Sequence, residues 1–214
     1  MYVPVHFSEP SDEVMHALIR ACPLGVLVVA GAGGLEANHI PFFLRVSDGG
    51  QATLLGHVAR ANPVWRTAGA SSAALVVFQG PAGYVSPGWY PSKQEHGRVV
   101  PTWNYAAVHA QGTIAFHDDP RWTRRQMDWL THHMEAGRER PWAIADAPAE
   151  YIDKLVANVV GVEVLVERLT GKWKVSQNQS DANRAGVVNG LIEAGGSAAA
   201  ELARLVAEHP GASR

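Results

Sequence analysis

The chain holds a single cysteine, Cys22, among 214 residues. That excludes an internal disulfide and any zinc or iron–sulfur site built from several cysteines. Long hydrophobic runs are missing too: the most apolar stretch, LGVLVVAGA at 24–32, falls well short of the roughly 18–20 residues that a membrane span needs. Charge of one sign is not in excess, since 18 Lys and Arg face 20 Asp and Glu for a formal net charge of -2. Such a balance gives no global pull toward nucleic acid or acidic membranes. The phosphate-loop pattern G-x-x-x-x-G-K-[ST] and the dinucleotide fingerprint G-x-G-x-x-G do not occur. No Ser-His-Asp or paired-carboxylate arrangement stands out, so hydrolysis has no support. The opening MYVPVHFSEP has neither a basic region nor an apolar core of the secretory kind, and a cytoplasmic location is expected.

With 47% hydrophobic and 18% charged residues, the chain has ordinary globular composition and the length for one large domain or one domain with appendages. The unusual feature is a clustering of aromatics and histidines. Trp65, Trp89 and Trp103 lie near Tyr84, Tyr90, Tyr105, His57, His96 and His109, interleaved with Gly, Pro, Ser, Asn and Lys. Those polar and turn-forming neighbours do not belong together in a packed core.

Apolar periodicity predicts a first helix capped by Ser8 or Ser11, with Val14, Met15, Leu18, Ile19 and Cys22 on one face and Pro23 ending it. Strands are predicted over 24–30, 35–46 (with Pro41 marking an edge or bulge), 52–58, 72–80, 105–116 and 160–169, with GAGG at 31–34 and Asp48-Gly49-Gly50 as turns. Helices are predicted over 64–70, 121–136 and 149–157, the second with Met127, Leu130 and Met134 at i, i+3 and i+7, and Tyr84 to Ser86 is the one extended piece expected within 81–104. From Asp181 the tail reads as helical, split at Gly195-Gly196 and trailing off at Pro210. Six or seven strands with short turns and no βαβ alternation describe an α+β fold, an antiparallel barrel or sandwich with helices to one side.

Four segments hold residues suited to chemistry. LGHVARANP at 55–63 runs from a strand into a helix start, and offers His57, Arg60 and Asn62 for an anion; the alternative is a capped helix with a solvated Arg. GPAGYVSPGWYPSK at 80–93 is a turn-rich loop presenting Tyr84, Trp89 and Tyr90 beside Ser86, Ser92 and Lys93. It suits a planar anionic ligand, or it packs down on its own aromatics. VPTWNYAAVH at 100–109 brings Thr102, Trp103 and Asn104, fit for a heterocycle edge or for cross-strand packing. GKWKVSQN at 171–178 alternates Lys172 and Lys174, which suit either a phosphate or the protection of an edge strand.

Together these four segments and the opening MYVPVHF resemble the PaiB-type proteins, over residues 1 to about 178. The resemblance implies an FMN-binding split barrel, a homodimer with FMN at the subunit interface, and the family's usual role as a negative transcriptional regulator. It implies a split-barrel domain over 1–178 and a C-terminal helical appendage over 179–214. By the same resemblance His57, Arg60 and Asn62 lie around the FMN phosphate and ribityl chain, and Lys93 or Lys174 adds positive charge. Trp103 and Asn104 lie nearer the ring, and Val58, Ala59 and Thr102 also belong to the cofactor-binding residues.

Two other readings stay open. A flavin-dependent oxidoreductase would use His57, Tyr105 or His109 as a proton donor, with any nicotinamide as a diffusing substrate. A haem-binding or haem-degrading barrel would draw its axial ligand from His39, His57, His96, His109, His132 or His133. For contact with DNA, the best candidate is the helix bearing Arg121, Arg124 and Arg125, which Asp128 and Glu135 dilute. Membrane attachment is not expected.

Overall fold

The structure is a computed structural model and describes residues 1–31, 33–68 and 72–209. Among them are eight strands and seven helices. In chain order these are β1 (Ser8–Glu9), α1 (Asp12–Ala21), β2 (Leu24–Gly31), β3 (Gly34–Pro41), β4 (Phe43–Val46), β5 (Ala52–Ala59), α2 (Val64–Thr67), β6 (Ser72–Val85), α3 (Ser92–His96), β7 (Thr102–His117), α4 (Pro120–Glu135), α5 (Ala149–Ala157), β8 (Val159–Lys174), α6 (Asp181–Ala194) and α7 (Ser197–Glu208). One sheet has the order β3-β2-β6-β7-β8-β5-β4, with β1 paired on β8. The pairs β2–β3, β2–β6, β4–β5, β5–β8 and β1–β8 are antiparallel. No helix among the described residues is long and apolar enough to cross a membrane.

The chain packs as two compact units. Unit 2 comprises Ile19–Phe78 and His109–Leu169. Alternation buries Leu27 and Val29 of β2, Leu54 and Val58 of β5, Val76 and Phe78 of β6, and Val160, Val162 and Val164 of β8. Phe42 and Phe78 meet edge to face, with ring centroids 6.1 Å apart. Phe42 lies between Pro41 and β4, so the stretch predicted as a single strand over 35–46 is two. The ring at Pro41 supplies no N–H to a ladder, and the Phe42 N–H leaves the hairpin to donate to the Pro23 carbonyl at 2.8 Å.

Unit 1 comprises Met1–Leu18, Gln79–Val108 and the chain from Thr170 onward. Its helices α6 and α7 pack on each other, and α6 packs on the turn at Pro87–Trp89. A side chain at Gly190 would put its Cβ 2.2 Å from the Trp89 ring, and one at Gly83 would meet Leu202 at 2.9 Å. The helical appendage expected over 179–214 packs, over its described residues, on the stretch that carries Trp89.

Several expected boundaries shift. Among the described residues there are eight strands rather than six or seven, because the stretch predicted over 35–46 is two and a two-residue β1 pairs at Ser8↔Lys172. β6 runs on to Val85, β7 begins at Thr102, and β8 continues to Lys174. Ser8 of β1 pairs with Lys172, so Lys172 does not stand on an open sheet edge. Ala32 of the predicted turn, the last two residues of the helix predicted over 64–70, and Pro210 lie outside the described residues. The ten residues with an expected cofactor role divide evenly, five on each unit.

Candidate functional site

In unit 2, β5 carries His57, Val58 and Ala59 to the turn that holds Arg60 and Asn62. Val58 is buried, so only its backbone is available, and that pairs with Val160. His57 Nδ1 lies 2.8 Å from Oε1 of Gln126, a fully buried amide on α4 whose Nε2 donates to the Leu55 carbonyl at 3.3 Å. Asn62 Oδ1 accepts from the Val64 N–H at 3.0 Å, and its Nδ2 donates to Asn38 Oδ1 at 2.6 Å. That is a helix-start cap in the manner expected of Asn before Pro63.

Arg60 is engaged by protein groups on every side. Its Nη1 and Nη2 donate to Asp118 at 3.0 and 2.6 Å, Nε donates to the Ala157 carbonyl at 2.7 Å, and Nη2 also reaches the Val159 carbonyl at 3.2 Å. The fork geometry matches a carboxylate bidentately. Hydrogen bonding from Arg60 holds the Asp118 carboxyl below its ordinary value, and Asp118 in turn raises the Arg60 guanidinium. A carboxyl depressed in the folded state stabilises the fold above its unfolded value of about 3.9, and the contribution is lost as pH falls through the folded value. The difference in urea midpoint between the native chain and Asp118→Asn should therefore be constant from neutral pH down to about 5 and shrink below about 4. A difference that keeps its full size at about pH 2 would show that the ionised carboxylate is not its source.

In unit 1 the ends of β7 and β8 bring together residues 72 positions apart. Lys174 Nζ donates to Thr102 Oγ1, and to the Trp103 carbonyl at 2.7 Å. Burial lowers the Lys174 amine from its ordinary value, with Tyr105 opposing and Lys172 adding to the shift. Asn104 is buried and donates from Nδ2 to Ser176 Oγ at 2.8 Å. Ser176, also buried, sits at φ 67°, a left-handed conformation uncommon outside glycine. Its conformation is held by neighbours on both sides: Val175 N donates to Gln177 Oε1 at 2.8 Å, and Gln177 Nε2 to the Trp173 carbonyl at 2.5 Å. Just outside these groups Trp103 is 58% exposed and meets Tyr84, 48% exposed, edge to face at 6.3 Å. Lys172 Nζ lies 5.4 Å from the Tyr105 ring centroid. Lys93 is exposed on α3 with no side-chain partner among the described residues.

Of the ten, Lys174, Thr102, Trp103 and Asn104 are brought together on unit 1, while Lys93 stands apart from them on α3. The five of unit 2 form a bracing network. Sequence reasoning passed over Gln126 and Asp118 as the partners of His57 and Arg60. Their signal was present only as a polar residue inside a helix and an acid before a helix cap, neither of which names a partner. His109 on β7 is shifted down by burial, which favours its neutral form. No cluster of metal-ligating side chains occurs among the described residues.

A half-desolvated ammonium beside a hydroxyl, with a pair of exposed aromatic rings next to them, is a donor set that fits a phosphate joined to a planar ring system. Residues 1–168 match the family described as "Putative FMN-binding domain". The chain belongs to this family. The cofactor of the family is FMN, as the sequence resemblance implies, and the antiparallel sheet with its helices is the split-barrel fold. An uncharacterized protein of Emericella nidulans is 33% identical over 97% of both chains. The protease synthase and sporulation protein PAI 2 of Bacillus subtilis is 28% identical over 96% of both. Among solved structures, an FAD and heme binding protein of Mycobacterium smegmatis superposes with a TM-score of 0.55 at 20% identity, covering 89% of this chain and 80% of that one. At that identity the likeness concerns the fold.

Proposed function

We propose that the chain is an FMN-binding protein of PaiB type that holds its flavin at a homodimer interface and acts as a negative regulator of transcription. The observation that carries the flavin contacts is the Lys174 amine, drawn into a half-desolvated position by Thr102 Oγ1 and the Trp103 carbonyl. Lys174 and Thr102 supply charge and a hydroxyl to the phosphate. Trp103 offers an exposed face to the ring, and Asn104, fixed by Ser176, sets the direction of the strand that presents both. On the other unit Arg60, His57 and Asn62 keep the end of β5 in place through Asp118, Gln126 and Asn38. When bound, flavin supplies reversible one- or two-electron chemistry. The likeness to PAI 2 along nearly the whole chain supports the regulatory half. On α4, Arg124 is paired with Asp153 at 2.7 Å, which leaves Arg121 and Arg125 as the exposed cations for a phosphate backbone.

Titrating FMN into the flavin-free chain should quench flavin fluorescence saturably, with a dimer by sedimentation. Lys174→Ala should raise the dissociation constant about tenfold or more, the worth of a charge-assisted hydrogen bond. An unchanged constant would remove Lys174 from the phosphate. DNA retention that weakens steeply with salt would support the regulator. Retention of no DNA fragment, with NAD(P)H bleaching the bound flavin, would favour an oxidoreductase instead.

A further inference from the structure

Unit 1 has a cavity of about 460 Å³ that none of the flavin contacts proposed above lines. Its volume is in the range of small-molecule sites, roughly 300–1,000 Å³. One wall comes from the stretch between Tyr90 and Val100, the other from the turn into α6. The walls are tied together: the Ser92 N–H donates to Asn183 Oδ1 at 3.3 Å, and Asn183 Nδ2 donates to Gln179 Oε1 at 3.1 Å. The space is therefore formed by the fold itself.

Two donors on these walls have no acceptor among the described residues. The Tyr90 side chain is only 4% exposed, and its hydroxyl, which keeps contact with solvent, makes no hydrogen bond to the protein there and is free for a ligand. Burial also raises the Tyr90 hydroxyl above its ordinary value, so the proton stays on. Arg98 is the second: it is exposed, its guanidinium has neither an ion pair nor a hydrogen bond to the protein, and only its backbone N–H is used, donating to His96 Nδ1 at 3.0 Å. That bond places the proton of a neutral His96 on Nε2, which adds a third donor. The first turn of α6 reaches the same wall through Ser180 and Asn183. There, N–H groups that no helix carbonyl can reach add a positive end to the site.

We propose that this cavity is a second binding site, for a small organic molecule bearing an oxyanion, either a carboxylate or a phosphate ester, held by Arg98, Tyr90 and Ser92. Glu95 lies on the wall and is not paired with Arg98. Its carboxylate opposes a bare polyanion and favours a ligand with an ammonium or another donor beside the oxyanion. The site does not depend on the flavin reading, because its residues and those contacts do not overlap.

The test is calorimetric titration of the full chain, both flavin-free and saturated with FMN. The probes are phosphoethanolamine for the phosphate, β-alanine for the carboxylate, and ethanolamine as a cation without an oxyanion. One oxyanion probe should bind saturably in both states, and ethanolamine should not. Arg98→Ala should weaken binding about tenfold or more and Tyr90→Phe about threefold. FMN affinity and the urea midpoint should stay the same in both variants, since neither side chain has a partner to lose. The proposal is overturned if neither oxyanion probe binds at about 10 mM, or if both variants bind as the native chain does. Binding seen in the flavin-free chain and abolished by FMN would also overturn it, and would give the cavity to the flavin.

Discussion

Gly112→Ala should unfold the protein or bring it close to that point. Gly112 lies in β7, where an added Cβ would stand 1.9 Å from the Leu165 carbonyl oxygen, 2.8 Å from its carbon and 3.1 Å from the Val166 Cα. All three atoms belong to the backbone of β8. No rotamer change relieves such a contact; one strand must move away from the other, and the buried Val164 and Val166 move with it. Overpacking a core costs about 1–3 kcal/mol when side chains can adjust. Here they cannot, so the loss should meet or exceed the top of that range. Two other glycines grade the effect. At Gly161 a Cβ would press on the Trp122 ring at 2.3 Å, a side chain stacked on His117 with centroids 4.2 Å apart, and the ring can tilt at moderate cost. Gly49 sits in an open turn where the nearest atom is 3.9 Å away, and alanine there should fall within about 0.5 kcal/mol of native. Urea midpoints should rank Gly49→Ala, Gly161→Ala and Gly112→Ala in falling order. A Gly112→Ala chain as stable as Gly49→Ala would refute the close approach of β7 to β8.

The same contrast, between what local signals carry and what only the partner strand supplies, separates the legible parts of this fold from the rest. The break between α6 and α7 was readable to the residue, because Gly195 and Gly196 both take positive φ, 73° and 87°, where few other residues go. Asp119 before Pro120 was equally plain, and its carboxylate accepts from the Arg121 N–H at 2.8 Å. The ends of β6, β7 and β8 were not. Each runs into a stretch that holds Gly, Pro, Asn or Lys, whose own preference for a strand is weak, and pairing across the sheet extends it. On the candidate site, residue types were legible and partners were not. Thr102, Trp103, Asn104 and Lys174 stood out by kind, and the structure joins them because β7 and β8 are neighbours, a fact with no trace in spacing. Arg60 stood out for the same reason, but Asp118, 58 positions away, meets its guanidinium.

Gln126→Ala should lower stability by about 2–4 kcal/mol, the range for emptying a buried site and stranding a polar partner. Apolar spacing alone marks Met127, Leu130 and Met134 as the inner stripe of α4. The structure instead buries Thr123, Gln126 and Leu130, leaves Met134 half exposed, and turns Met127 toward Ile144, Ile152 and Val156. A polar residue can take the inner position because its amide has two employers on β5, the Leu55 carbonyl and His57 Nδ1. Alanine removes the volume and both bonds together, so a second substitution is needed to tell them apart. Gln126→Met keeps nearly the same length and loses only the bonds. It should cost about 1–2 kcal/mol, because the Leu55 carbonyl and His57 then lack their partner while the core stays filled. If Met proves as damaging as Ala, the hydrogen bonds dominate and α4 is held to β5 chiefly through this amide. If Met is as stable as native, packing alone seats the helix, and the contact with His57 contributes orientation to the end of β5 rather than stability.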